Sequence, residues 1–327
     1  MEKSLNRIIW IDRMRGLAIL SVVIQHLTYC FENQFVYHKL IGISNMAVFF
    51  FISGYIIEKT SRMTSLQDIR LFLKKKTIQL MLPFIMWQFV VRKFFFTTDW
   101  QIITWNDVAE GFAHPTLWFL LTLYGYMFAF AGLNLINTFK IKHLNTIWGG
   151  VIYFVFIQIV LLFAWKITGN FHLATLYFPY FSTGILMSAL SKEKWLENKT
   201  AGTISLISIC LCTCFWTSGA TSIINIILKI LVSFAVIQLI YIVCQMDWNA
   251  KTDKFIQKCG ICSLGIYVIH WTFLPMTPYS PLLPQNELYG LAITIFLGIV
   301  VTYACIFINQ FINLFPIIRL LLLGKNK

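Results

Sequence analysis

The first apolar stretch of the chain carries ionisable side chains at a helical spacing. His26 follows Arg15 by eleven residues, which in a helix is about three turns and roughly 16 Å, so both lie on nearly the same face at different depths. An imidazole can take a proton from a hydroxyl or act as a nucleophile. Arg15 can hold an anion, and Asp12, one turn before it, is a ready partner. The structural alternatives are an interfacial anchor for Arg15 and an interhelical hydrogen bond for His26.

Two further groups of residues could serve binding or chemistry. Tyr267 and His270 are three residues apart, so a helix would place them side by side. The alternative for His270 is again a hydrogen bond between helices. The predicted outer loop 97–116 contains His114 and leads into Trp118. This loop is where a polar ligand would be met from outside.

Cations collect where the predicted topology places the cytoplasmic ends of the helices. They predict an electropositive mouth suited to a phosphorylated cofactor, whereas the alternative is an ordinary positive-inside loop. Ser53 and Gly54, at the end of the second predicted helix, are small enough for a ligand or a neighbouring helix to approach. The candidate cofactor-binding cations are Arg13, Arg15, Arg70, Lys74, Lys75 and Lys76.

Ten apolar runs that could carry these residues are long enough to cross a bilayer. If the N-terminus is cytoplasmic, 21 of the 26 Lys and Arg residues fall in cytoplasmic segments, as the positive-inside rule requires. The sequence therefore predicts an all-α polytopic membrane protein with about ten transmembrane helices and both termini cytoplasmic. We expect a single membrane domain over 1–327, without an appended soluble domain. The predicted spans are 14–33, 40–57, 78–97, 117–137, 146–167, 174–190, 202–218, 222–245, 259–276 and 288–316.

The composition excludes several classes of protein. A chain that is 58% hydrophobic and 12% charged is not a soluble globular domain. The net charge of +13 is a topology signal rather than a surface for nucleic acid, and no nucleic-acid partner is expected. The eight cysteines lack the spacing of metal ligands, so no metal is expected. The first apolar run is too long for a cleavable signal peptide.

Taken in order along the chain, five motifs resemble acyltransferase family 3. The resemblance runs from about Ile8 to the C-terminus. The chain departs from the family pattern at Lys76 and Gln79, where two arginines often precede the residue corresponding to Pro83. The five motifs are Asp-x-x-Arg-Gly with Arg-x10-His in the first helix, Phe-Phe-x-x-Ser-Gly-Tyr, a basic run before a proline, Leu-Trp-Phe-Leu, and Ser-x-x-x-Tyr-x-x-His.

The resemblance implies an enzyme of the bacterial cytoplasmic (inner) membrane. Members of the family transfer an acyl group, usually acetyl and sometimes succinyl, from cytoplasmic acyl-CoA to a sugar hydroxyl of an envelope glycan. We therefore expect acetyl-CoA or another acyl-CoA as the donor, with the lipid bilayer and a glycan or lipid-linked sugar as partners. The sequence leaves open whether the protein forms a homo-oligomer.

The resemblance also implies roles for individual residues. Arg15 and His26 match the functional Arg-x10-His pair, with Asp12 beside them as a third catalytic candidate. Ser53 joins the cations as a candidate for donor binding, and it could also stabilise an oxyanion. The candidates for substrate binding are His114, Trp118, Tyr267 and His270.

The residues are compatible with two roles for His26 and with a second class of function. His26 can serve as a general base in a direct transfer, which we prefer, or as a nucleophile that forms an acyl-imidazole. A transporter or flippase of a glycan or lipid-linked sugar would also be polytopic with polar residues in its core. Such proteins usually contain an internal repeat, and none is recognisable between the two halves of this sequence.

Overall fold

The computed structural model describes residues 8–28, 36–61, 63–92, 104–113, 115–139, 146–169, 172–190, 196–215, 223–274 and 287–325. Within these ranges all regular secondary structure is helical, which confirms the all-α prediction for the described part of the chain. The residues group into two compact units. The first contains Met1–Ile52 and Ser191–Gln310, and the second contains Ser53–Leu190 and Phe311–Lys327.

Fourteen α-helices are described, and two π-helical segments and one 3-10 turn adjoin them. The π segments are Thr77–Met81 and Met86–Val91, and the 3-10 turn is His270–Phe273. The α-helices are α1 (Ile9–Thr28), α2 (Val36–Thr60), α3 (Leu66–Lys76), α4 (Leu82–Ile85), α5 (Trp105–Ala113), α6 (Trp118–Thr138), α7 (Ile147–Thr168), α8 (His172–Ala189), α9 (Lys199–Phe215), α10 (Ile223–Gln245), α11 (Ala250–Ile261), α12 (Ser263–Ile269), α13 (Glu287–Leu314) and α14 (Pro316–Leu323).

Four helices of the described residues are long and apolar enough to cross a membrane. On α7, large apolar side chains such as Phe163 and Ile167 are 65% and 69% exposed, as lipid contact requires. The first helix differs from these four because Asp12, Arg13 and Arg15 lie near its start. That the chain has ten transmembrane helices and that both termini are cytoplasmic stay predictions. The four spans are Trp118–Thr138, Ile147–Thr168, Ile224–Gln245 and Leu288–Leu314.

In the first unit, α1 and α11 cross with their backbones in contact. A Cβ atom built on Gly16 would lie 2.0 Å from the carbonyl oxygen of Ile256, and one built on Gly260 would lie 2.0 Å from that of Asp12. Only the missing side chains of the two glycines permit this approach. The reciprocal contacts fix the charged start of α1 against α11.

The chain turns between α11 and α12, within the predicted span 259–276. Cys262 leaves the helical conformation, with φ −93° and ψ 7°, and α12 then runs to Ile269. His270 begins the 3-10 turn that follows. The apolar run is therefore divided, and its second piece carries Tyr267 and His270.

In the second unit, the segment from α3 to the second π turn is helical but irregular. A capping box begins it, since the Ser65 side chain accepts a hydrogen bond from the Asp68 N–H while the Asp68 side chain accepts one from the Ser65 N–H. Pro83 lies at the start of α4 between the two π-helical segments. Because proline has no N–H to donate, the regular hydrogen-bond pattern is interrupted there.

Candidate functional site

The two predicted membrane histidines meet inside the first unit. Nδ1 of His26, two residues from the end of α1, lies 2.9 Å from Nε2 of His270 at the start of the 3-10 turn. The planes of the two rings are nearly parallel, at an angle of 16°, and the ring centroids lie 5.0 Å apart. His270 is fully buried, whereas His26 is only partly buried. The accessible ring is therefore the one on α1.

The other nitrogen of His270 is held by the backbone. Nδ1 lies 3.0 Å from the carbonyl oxygen of Ile266, one helical turn earlier. Both Ile266 and Tyr267 are buried, and the Tyr267 ring lies 6.0 Å from the His270 ring between centroids. The predicted neighbours Tyr267 and His270 are thus close together.

Trp271 completes the surroundings of His26. Its ring centroid is 4.6 Å from that of His26 and 5.3 Å from that of His270. A large flat ring at this distance restricts rotation of the imidazole. Sequence reasoning overlooked Trp271, although its position directly after His270 was a signal that could have been used.

Arg15 and Asp12 lie on the same continuous helix as His26. Because α1 runs without interruption from Ile9 to Thr28, Arg15 is about three turns, roughly 16 Å, from His26 along the helix. Arg15 is partly buried, and Asp12 is 5% exposed. The helix therefore holds a cation near one end and an imidazole near the other, as the spacing predicted.

Arg13 points into a network that the sequence did not reveal. Its Nε donates to Oδ1 of Asp253 at 2.7 Å, and one terminal nitrogen donates to the carbonyl oxygens of Cys244 and Met246 at 2.7 and 3.0 Å. The guanidinium also lies 5.3 Å from the ring centroid of Trp248. These contacts fasten α1 to the end of α10, to α11 and to the segment between them. Phosphate binding by Arg13 stays a prediction, and the same guanidinium already makes these structural contacts.

The other predicted cofactor-binding cations belong to the second unit. Arg70, Lys74 and Lys75 are exposed on α3, and Lys76 is partly buried with its Nζ 5.7 Å from the ring centroid of Phe72. The exposed cations Arg70, Lys74 and Lys75 can reach a phosphate, although exposed positions give little selectivity. They form a basic surface of the second unit.

Ser53 and Gly54 lie at a close helix contact within the second unit. A Cβ atom on Gly54 would lie 2.0 Å from the carbonyl oxygen of Phe181 in α8. Close packing of the two helices, the structural alternative for this small pair, therefore accounts for Gly54. Ser53 itself is partly buried, and its proposed roles in donor binding or oxyanion stabilisation are untested.

Trp118 begins α6 and packs against an aromatic neighbour. Its ring lies 5.4 Å from that of Tyr177 between centroids, at 30°, and the side chain is partly buried. Tyr177 in turn lies 6.0 Å from Tyr180 between centroids. His114, the other predicted substrate residue of this region, lies outside the described residues.

The described residues contain no group of three or more His, Cys, Asp or Glu side chains that could hold a metal ion. In the described part of the chain, four cysteines are buried free thiols: Cys244, Cys259, Cys262 and Cys305. Their burial fits the packing role that the sequence favours.

The fold and site define a helical membrane protein whose first helix carries a cation and an imidazole, with a second imidazole in contact with the first. A family model described as an acyltransferase domain matches residues 8–309, nearly all of the 327-residue chain. The chain belongs to acyltransferase family 3, and it is a multi-pass membrane acyltransferase. Searches of curated proteins and of solved structures gave no match.

Proposed function

We propose that this acyltransferase moves an acyl group from cytoplasmic acyl-CoA to a hydroxyl of an extracytoplasmic or lipid-linked glycan. We propose acetyl as the group transferred. The observation that carries the proposal is the position of His26, which is partly accessible and braced by His270 at 2.9 Å. In a membrane helix such a group is expensive and is most readily explained by chemistry. The proposed setting is the bacterial cytoplasmic membrane.

Arg15 is the residue that we expect to bind the phosphates of the donor. The nucleotide end of acyl-CoA carries phosphates that cannot enter hydrocarbon, so it must stay at the membrane surface. Arg15 can bind a phosphate by charge-assisted hydrogen bonds, with Asp12 close by along α1. The pantetheine arm would then extend along α1 and bring the thioester near His26. The basic surface of Arg70, Lys74 and Lys75 is a separate candidate for binding phosphates.

The transfer itself needs a base and a hydrogen-bond donor. His26 accepts the proton of the sugar hydroxyl while the oxygen attacks the thioester carbonyl, and the tetrahedral oxyanion requires stabilisation. The C–S bond then breaks, and the departing thiolate receives the proton from His26. In the alternative route His26 attacks the thioester first and carries the acyl group. For the acceptor, Trp118 offers an aromatic ring that can stack on a sugar.

The experiment is an assay of purified protein with radiolabelled acetyl-CoA in detergent and in vesicles. We expect label to pass to a glycan hydroxyl, and His26→Ala to abolish the transfer while the protein stays folded. If acetyl-CoA is neither bound nor consumed while glycan crosses vesicles containing the protein, transport replaces transfer as the function. Mass spectrometry of surface glycans from a deletion strain would identify the acceptor. The acceptor glycan should be lighter than in the parent strain by the mass of one acyl group.

A further inference from the structure

We propose that His270 is a positioning residue that fixes the tautomer of His26, so that Nε2 of His26 is the nitrogen that accepts the substrate proton. The inference rests on the proposed function for its chemical meaning. The arrangement of hydrogen bonds that supports it is independent of the substrate. It extends from a backbone carbonyl through two imidazole rings.

The first link fixes the protonation of His270. The carbonyl oxygen of Ile266 has no hydrogen, so at a distance of 3.0 Å it can only accept from Nδ1 of His270. Nδ1 of His270 therefore carries a proton. A neutral imidazole has one N–H, and the burial of His270 favours the neutral ring. Nε2 of His270 is then an acceptor.

The hydrogen bond between the two histidines then sets the tautomer of His26. Its Nδ1 lies 2.9 Å from Nε2 of His270, and two lone pairs at that distance would repel each other. Nδ1 of His26 must therefore donate. In neutral His26 the lone pair is left on Nε2, which makes Nε2 the basic nitrogen.

The surrounding side chains hold this arrangement in place. Ile266 and His270 have no exposed surface, and the Trp271 ring lies against His26 at 4.6 Å between centroids. A ring flip of His26 would have to break the hydrogen bond and displace Trp271. The orientation of Nε2 is therefore set before any substrate binds, which is the condition for effective proton transfer.

The same contact assists the transfer after the proton has moved. When Nε2 of His26 takes the hydroxyl proton, the ring becomes an imidazolium, and its Nδ1–H still donates to His270. That hydrogen bond becomes charge-assisted and stronger. When the thiolate of CoA leaves, it takes the Nε2 proton and His26 returns to its starting tautomer. His270 thus acts through His26 and needs no contact with the substrate.

The test compares two substitutions of His270 that differ in their ability to accept a hydrogen bond. His270→Leu removes the acceptor and should lower kcat on the order of 100-fold, the scale of general-base effects, with the KM for acetyl-CoA nearly unchanged. His270→Gln keeps an acceptor oxygen and should recover a substantial part of kcat. His172→Gln, in the second unit, is the matched control and should leave kcat unchanged.

Nitrogen NMR of the histidine side chains gives a readout that is independent of activity. The chain has six histidines, and the His26 signal is assigned by its loss in His26→Gln. In the wild-type protein we expect the Nδ1–H tautomer at His26, and in His270→Leu a mixture of tautomers. An Nε2–H tautomer in the wild-type protein, or an unchanged kcat in folded His270→Leu, would overturn the inference.

The outcomes separate this inference from the proposed function. If the protein transfers no acyl group, the proposed function fails, but the tautomer of wild-type His26 is still measurable. If transfer occurs and the tautomer is the opposite one, only the role of His270 is lost. Should His270→Leu fail to fold, the NMR measurement on the wild-type protein decides.

Discussion

Nε of Arg13 donates to Oδ1 of Asp253 at 2.7 Å, which joins α1 to α11 across 240 residues of sequence. The Arg13 side chain is only 13% exposed, and that of Asp253 is 22% exposed. Two residues further along α1, Arg15 is the proposed phosphate ligand. We therefore expect the two arginines to differ, with Arg13 serving stability and Arg15 serving donor binding.

Replacing each arginine separately should reveal this difference. Arg13→Met removes a hydrogen bond between charged groups and should reduce the free energy of unfolding by about 2 kcal/mol, while the KM for acetyl-CoA changes little. Arg15→Met should instead raise that KM with little loss of thermal stability. Thermal unfolding and steady-state kinetics on both variants provide the check. A large rise of KM in Arg13→Met would restore Arg13 to the donor-binding residues.

The same ion pair predicts a pH dependence of stability. The hydrogen bond from Arg13, with a further one from Gln257, lowers the pKa of Asp253. A carboxylate with a lowered pKa stabilises the folded state above its unfolded pKa of about 3.9, and this contribution is lost as the pH falls through the folded value.

We therefore expect Asp253→Asn to unfold at a lower temperature than the wild-type protein at neutral pH. The gap between the two melting temperatures should narrow as the pH falls below about 4. Differential scanning fluorimetry over a pH series measures this directly. A gap that is independent of pH would show that charge on Asp253 does not matter.

The close approach of α1 and α11 makes a sharp prediction for glycine substitutions. A Cβ atom at Gly260 would lie 2.0 Å from the carbonyl oxygen of Asp12, so Gly260→Ala should destabilise the protein by about 1–3 kcal/mol through overpacking. At Gly125 in α6, the described residues place no heavy atom within 4 Å of the corresponding position apart from the backbone of its own helix. Gly125→Ala should therefore be neutral or slightly stabilising. Equal melting temperatures for the two variants would contradict the described packing.

Trp271 should influence catalysis through its packing on His26. Trp271→Ala removes the ring that lies 4.6 Å from the imidazole and should lower kcat by about 10-fold or more because His26 can then rotate. Trp271→Phe keeps an aromatic ring and should retain most of the activity. Trp148→Phe, at a position that is 77% exposed, controls for the exchange itself. Identical kcat values in all three variants would argue against a restraint by Trp271.

The sequence was sufficient to predict elements whose signals are local. Apolar length and hydropathy predicted the four spans that the structure describes as long and apolar enough. Helical periodicity placed Arg15 and His26 three turns apart on one helix, and the order of motifs predicted the family. Each of these inferences uses residues that are close together in the chain, or patterns that the chain repeats in order.

The contacts that build the site depend on residues far apart in sequence. His26 and His270 are separated by 244 residues, and no spacing rule relates them. The sequence identified both histidines but assigned His270 to substrate binding, a role that remains untested. It also could not reveal that Arg13 pairs with Asp253, nor that the apolar run around Cys262 is broken. Such features arise from the packing of helices, which one sequence does not encode locally.

We expect Nε2 of His26 to receive the proton of the acceptor hydroxyl during acyl transfer. The most direct test is acetyl transfer from radiolabelled acetyl-CoA to glycan by purified wild-type and His26→Gln protein, matched for folded amount by size-exclusion chromatography. We predict glycan labelling with the wild-type protein and a loss on the order of 100-fold or more in the variant. Undiminished labelling by folded His26→Gln would contradict the account.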